Sequence, residues 1–144
     1  MYDHILHPTD GSDVAERARA HAIDLADRYD ASLHVLHVLS LGEVDEVSEN
    51  DRDLVEDLRD QGEDVVATAV EEARSRGVED VDRTLREGQP TDEILDCADD
   101  CDADLVVMGT HGRSGLAHYL VGSVAEKVVR HATCAVQTVP DATG

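Results

Sequence analysis

The residues best equipped for chemistry lie between Met108 and Val124. Gly109, Gly112 and Gly115 crowd one short stretch, and Gly122 follows just before a Ser-Val pair. Glycine lets backbone approach a ligand closely. The apolar run Leu105 to Met108 reads as a buried strand leading in, and Val124 to Arg130 reads as a helix leading out. A strand, a glycine-rich loop and a helix N-terminus together present N–H groups to an anion, and phosphate is the anion they suit. Ser123 with Glu126 has capping-box spacing, so Ser123 is either the helix cap, a phosphate donor, or both.

Charge points to the same place. The chain carries a net −21, with 33 Asp and Glu against 12 Lys and Arg, and Lys127 is its single lysine. Such a surface repels nucleic acid and anionic membranes at ordinary salt. It suits a cytoplasm of very high salt, where screening relieves self-repulsion. A salt-loving source is therefore expected, a generic acidic protein being the alternative. Between Leu105 and Pro140 the only carboxylate is Glu126, whereas the chain-wide rate of 33 in 144 would give about eight. The same window holds His111, Arg113, His118, Lys127, Arg130 and His131. Core strand and helix account for part of this depletion, but not for the polar loop.

The 144 residues suffice for one domain, taken as 1–144. No apolar segment approaches membrane-spanning length. There is no signal-peptide pattern at Met1, and three cysteines suggest reduced thiols and a cytoplasmic home.

The elements that must position the loop alternate between strand and helix. Tyr2 to His7 reads as a first strand closed by Pro8. Ser12 or Asp13 caps a helix to about Tyr29, with Val14, Ala18, Ala22, Leu25 and Tyr29 on one face. Ser32 to Leu39 is a near-continuous apolar run, as a parallel strand buried on both faces should be. An acidic connection over Ser40 to Asp53 precedes a long helix from about Asp53 to Arg76. Leu54, Leu58, Val65, Val66, Ala69 and Ala73 form its apolar face, Gly62 is its weak spot, and Gly77 is its C-terminal cap. Val81 to Arg86 reads as an edge strand, Thr91 as the cap of a short helix to about Cys101, and Cys134 to Val139 as a last strand. Such alternation predicts a mainly parallel sheet with helices on both faces.

Other candidates are weaker. Cys97 and Cys101 share a helix face and read as small core residues. His34 and His37, three apart on a strand, fall on opposite faces and do not suit one metal. There is no Walker loop and no dinucleotide fingerprint. No general base stands beside an evident water site, which argues against a kinase or fast ATPase and leaves enzymatic activity open.

Gly109-x-x-Gly112, nine further residues, then Gly122-Ser123 resembles the nucleotide-binding signature of the universal stress protein family. The resemblance extends to Pro8-Thr9-Asp10-Gly11-Ser12 and to the final strand. It implies a doubly wound, Rossmann-like α/β fold of the adenine nucleotide alpha hydrolase-like type, with five strands in the order 3-2-1-4-5. It also implies ATP, with Mg, at the switch point between the first and fourth strands. On this reading Gly109, Gly112, Gly122 and Ser123 hold the phosphates, joined by Arg113, Ser114 and His111. Asp10, following Pro8 and Thr9, serves adenine, ribose or a metal-bound water, unless it only makes an Asx-turn. Val38 offers backbone groups to adenine, and Met108 and Val124 line the pocket. Cys134 to Val139 would be the edge of a homodimer, although Ala135 stands where the family often has proline.

The function so implied is a regulatory dimer of stress response with at most slow ATP hydrolysis. A stress scaffold or chaperone-like dimer with a vestigial loop is the alternative. An adenylyl-transferring enzyme is a more distant one.

Overall fold

Short runs of Ile, Leu and Val alternate with Ala-rich segments of helical period, and each run becomes a strand of one parallel sheet. The computed structural model describes residues 1–40, 49–110 and 122–141. Its elements are β1 (His4–Pro8), α1 (Asp13–Tyr29), β2 (Ser32–Leu39), α2 (Glu49–Ser75), β3 (Val81–Glu87), α3 (Pro90–Asp100), β4 (Leu105–Gly109), α4 (Ser123–His131) and β5 (Ala135–Val139). The strand order is β3-β2-β1-β4-β5, every pairing parallel, as the resemblance implied.

The sheet separates two apolar layers. Ile5, Leu33, Val35 and Val107 pack under Ala18, Ala22 and Ile23 of α1 and Val66, Ala69 and Ala73 of α2. Leu6, Leu36, Val106 and Met108 pack under Ile94, Cys97 and Ala98 of α3 and Ala125 and Val128 of α4. Adjacent strand residues thus face opposite layers, which is why the central strands are apolar without alternation.

Several boundaries depart from expectation. Helix α2 begins at Glu49, because acidic residues suit the positive end of a helix. The expected connection therefore shortens to 41–48, which lies outside the described residues. At the start of α2 Val55 is buried in place of Leu54, which is 47% exposed, while Val66, Ala69 and Ala73 are buried as expected. Tyr29 is also exposed and rests edge-on against Tyr2, ring centroids 5.2 Å apart. Strand β5 starts at Ala135 rather than Cys134.

Two caps are corrected. Helix α3 is capped by Gln89, whose Oε1 accepts from Asp92 N–H at 3.2 Å, with Pro90 in the first turn where its missing N–H costs nothing. Thr91, the expected cap, is instead buried in that turn. Helix α4 is capped by Gly122, with no side-chain hydrogen bond, so Ser123 is an exposed first-turn residue. The other caps stand. Ser12 accepts from Ala15 N–H at 3.2 Å. Gly77, at φ +101°, turns the chain at the end of α2, and Val78 N–H returns to Ala73 O at 3.0 Å. No described helix is long and apolar enough to cross a membrane.

Candidate functional site

In an open parallel sheet, loops leaving the carboxyl ends of neighbouring strands part where the chain reverses direction. Here that point lies between β1 and β4, which pair directly. The turn after β1 starts there, and β4 ends there at Gly109.

The β1 turn is held by backbone bonds. Pro8 and Thr9 are buried, and Thr9 N–H donates to Leu36 O at 2.8 Å. His37 Nδ1 donates to Thr9 O at 2.8 Å, fastening the turn to β2. Thr9 Oγ1 accepts from Gly11 N–H at 3.2 Å, and Asp10 Oδ1 accepts from Ser12 N–H at 2.9 Å. The Asx-turn foreseen for Asp10 is therefore present. Gly11 sits at φ +78°, a conformation that favours glycine, so the turn can reach Ser12 and start α1.

The β4 loop is closed at its base. Met108 and Gly109 are buried at the strand end, and Thr110 N–H donates to Val139 O at 3.0 Å. Gly122 N–H then donates to Thr110 O at 2.5 Å, so the chain returns to its point of departure. His111, Gly112, Arg113 and Ser114 belong to the segment between and lie outside the described residues. Gly122 has φ −63°, open to any residue. Its lack of a side chain matters instead at the helix end. Helices α1 and α3 have a first-turn N–H bonded by Ser12 or Gln89, whereas α4 has no side-chain cap. The N-terminal N–H groups of a helix lack intrahelical partners and carry its positive end, and among the described residues no side chain caps those of α4.

The structure brings together Pro8, Thr9 and Asp10 on the β1 turn, Met108 and Gly109 at the end of β4, and Gly122, Ser123 and Val124 at the start of α4. Val38 lies one residue from the end of β2 and borders the same apolar layer as Met108 and Val124. Among the described residues no group of three or more His, Cys, Asp or Glu forms a metal cluster.

Sequence reasoning passed over two positioning residues. His37 orients Thr9 O, and His7 sits fully buried beneath the turn with Nδ1 donating to Val107 O at 3.0 Å. Burial pushes His7 down to about 4, so the ring is neutral. Histidine among apolar strand residues was the available signal. The ring's bond to a main-chain carbonyl a hundred residues away was not readable from spacing.

The universal stress protein family model matches residues 1–140. A universal stress protein of Methanocaldococcus jannaschii is 37% identical over 141 residues, spanning 96% of this chain and 82% of the relative. Among solved structures, hypothetical protein MJ0577, described as a test case for assigning biochemical function from structure, aligns with a TM-score of 0.86. It is 31% identical, over 96% of each chain. A universal stress protein solved in complex with cAMP aligns with a TM-score of 0.75 and 29% identity, over 96% of this chain and 97% of that one.

Proposed function

This chain belongs to the universal stress protein family, and we propose that it is a single-domain adenine-nucleotide-binding regulator, with Mg-ATP its principal ligand. The observation that carries the reading is the N-terminus of α4, which no side chain among the described residues caps, set where Gly122 N–H bonds Thr110 O at the end of β4. The relative solved with cAMP supports an adenine nucleotide as the ligand.

The triphosphate lies along Gly109, Gly112, Gly122 and Ser123, with His111, Arg113 and Ser114 supplying further donors. Adenine and ribose lie towards Val38, Met108, Val124 and the Thr9–Asp10 turn. Asp10 is the carboxylate suited to a water on a phosphate-bound Mg²⁺. Hydrolysis is at most slow on this reading, and occupancy rather than turnover carries the signal. The edge strand β5 pairs with a second copy, forming a homodimer in the cytoplasm of a salt-loving cell.

The test is to purify the protein in multimolar salt, denature it, and identify released nucleotide by chromatography and mass spectrometry. ATP is expected, and ADP or AMP would indicate turnover. Gly122→Val, which puts a branched side chain at the mouth of α4, should abolish binding while preserving the circular dichroism spectrum. Unchanged nucleotide affinity in that variant would overturn the site.

A further inference from the structure

We propose that Thr91 is a further ligand-contacting residue, its hydroxyl bonding the nucleoside part of the nucleotide at the carboxyl end of the sheet. The proposal rests on the adenine-nucleotide reading above and adds a residue to it.

Thr91 is only 5% exposed, and its Oγ1 has no hydrogen-bond partner among the described residues. A buried hydroxyl without a partner is costly, and valine would fill the same volume without that cost. The usual reason for threonine in the first turn of a helix is capping. Here Gln89 holds that role through its bond with Asp92 N–H. Neither packing nor the helix end accounts for the hydroxyl.

Its position does suggest a role. Helix α3 leaves β3 and runs back along the sheet, so its N-terminus lies at the carboxyl ends of the strands. Gly88 N–H donates to Leu39 O at 3.0 Å, tying the start of α3 to the end of β2, next to Val38. Thr91, Ile94 and Ala98 fall on one buried face of α3 at helical spacing. Ile94 and Ala98 pack with Leu36 and Met108, and Val38 and Val124 border that layer. Thr91 is one turn nearer the carboxyl edge. It therefore stands at the carboxyl-edge end of the layer that contains Met108 and that Val38 and Val124 border. Apolar walls with one placed hydroxyl suit a base and its ribose. The phosphates belong at the opposite side, over β4 and the start of α4.

The experiment compares wild type, Thr91→Val and Thr91→Ser by calorimetry with ATP, adenosine and inorganic tripolyphosphate, alongside thermal melts without ligand. Thr91→Val should weaken ATP and adenosine about tenfold, leave tripolyphosphate unchanged, and melt no lower than wild type without ligand. Thr91→Ser should restore most of the affinity. If wild type binds ATP and Thr91→Val binds it equally well, the Thr91 contact is wrong and the site stands. Equal loss of ATP and tripolyphosphate would place the effect on the phosphates and also overturn the contact. Wild type that binds no nucleotide would overturn both.

Discussion

A Cβ on Gly62 would lie 2.8 Å from Cδ2 of His37, too close for any side chain without movement. Helix α2 crosses β2 at a point that admits only a hydrogen atom. The ring that sets this clearance also holds Thr9 O at 2.8 Å, so the contact reaches the β1 turn.

Gly62→Ala is the direct consequence. Helix propensity alone would favour alanine by about 1 kcal/mol. The His37 ring cannot give way without breaking its bond to Thr9, and overpacking of this kind costs about 1–3 kcal/mol. The variant should therefore be destabilised in urea titration and bind nucleotide less tightly. A more stable variant would show that His37 moves freely.

His7 makes stability depend on pH. Its folded value is lowered to about 4, first by burial and then by Arg19, against the bond to Val107 O and the charges of Asp10 and Glu72. Unfolded, the ring titrates near 6.5, so between 6.5 and 4 the unfolded chain binds a proton that the folded chain refuses. Stability present above pH 6.5 is lost as pH falls through that window, by up to about 3 kcal/mol. Denaturant titrations at pH 7 and pH 4.5 measure the loss. His7→Leu should be less stable at pH 7 and should show a flatter profile across the window. An unchanged slope would assign the loss to other groups.

Arg19 of α1 and Glu72 of α2 form an ion pair at 2.5 Å, with side chains 11% and 27% exposed. Removing one partner strands the other in a poorly solvated place. Glu72→Gln should cost about 3 kcal/mol. Glu126, paired with Arg130 at 3.0 Å on the exposed face of α4, is the control. Glu126→Gln should cost at most about 0.5 kcal/mol. Equal effects in chemical denaturation would show that burial does not distinguish the two pairs.

The cysteines are packing residues rather than reactive ones. Cys97 is 1% exposed, and burial pushes its thiol up to about 11; burial raises Cys101 and Cys134 as well. Since the thiolate is the nucleophile, alkylation of the folded protein at pH 8 should be slow, slowest at Cys97, and fast in denaturant. Mass spectrometry of quenched time points tests this, and prompt modification of Cys97 in the folded state would contradict the packing.

Much of this protein is written locally. Strand and helix alternation appears in the apolar periods of Leu33 to Leu39 and of Val66 to Ala73, because buried parallel strands and amphipathic helices need those patterns. The glycine spacing from Gly109 to Gly122 and the scarcity of carboxylates after Leu105 are the sequence features on which the proposed anion site rests, because spacing and composition can be read without the fold. Gly77 and Ser12 were legible because caps depend on a few consecutive residues.

Tertiary structure decided what depends on residues far apart in sequence. Gly62 looks like a weakness in α2 until the His37 ring is seen to occupy the space its side chain would need. Thr91 and Ser123 match cap patterns, yet Gln89 and Gly122 stand at those helix starts, since backbone direction at the turn determines which residue stands outside the first turn. His7 is an ordinary strand position until burial on all sides makes it a neutral bridge between β1 and β4. These depend on which surfaces the sheet order brings into contact, and residue spacing does not encode that.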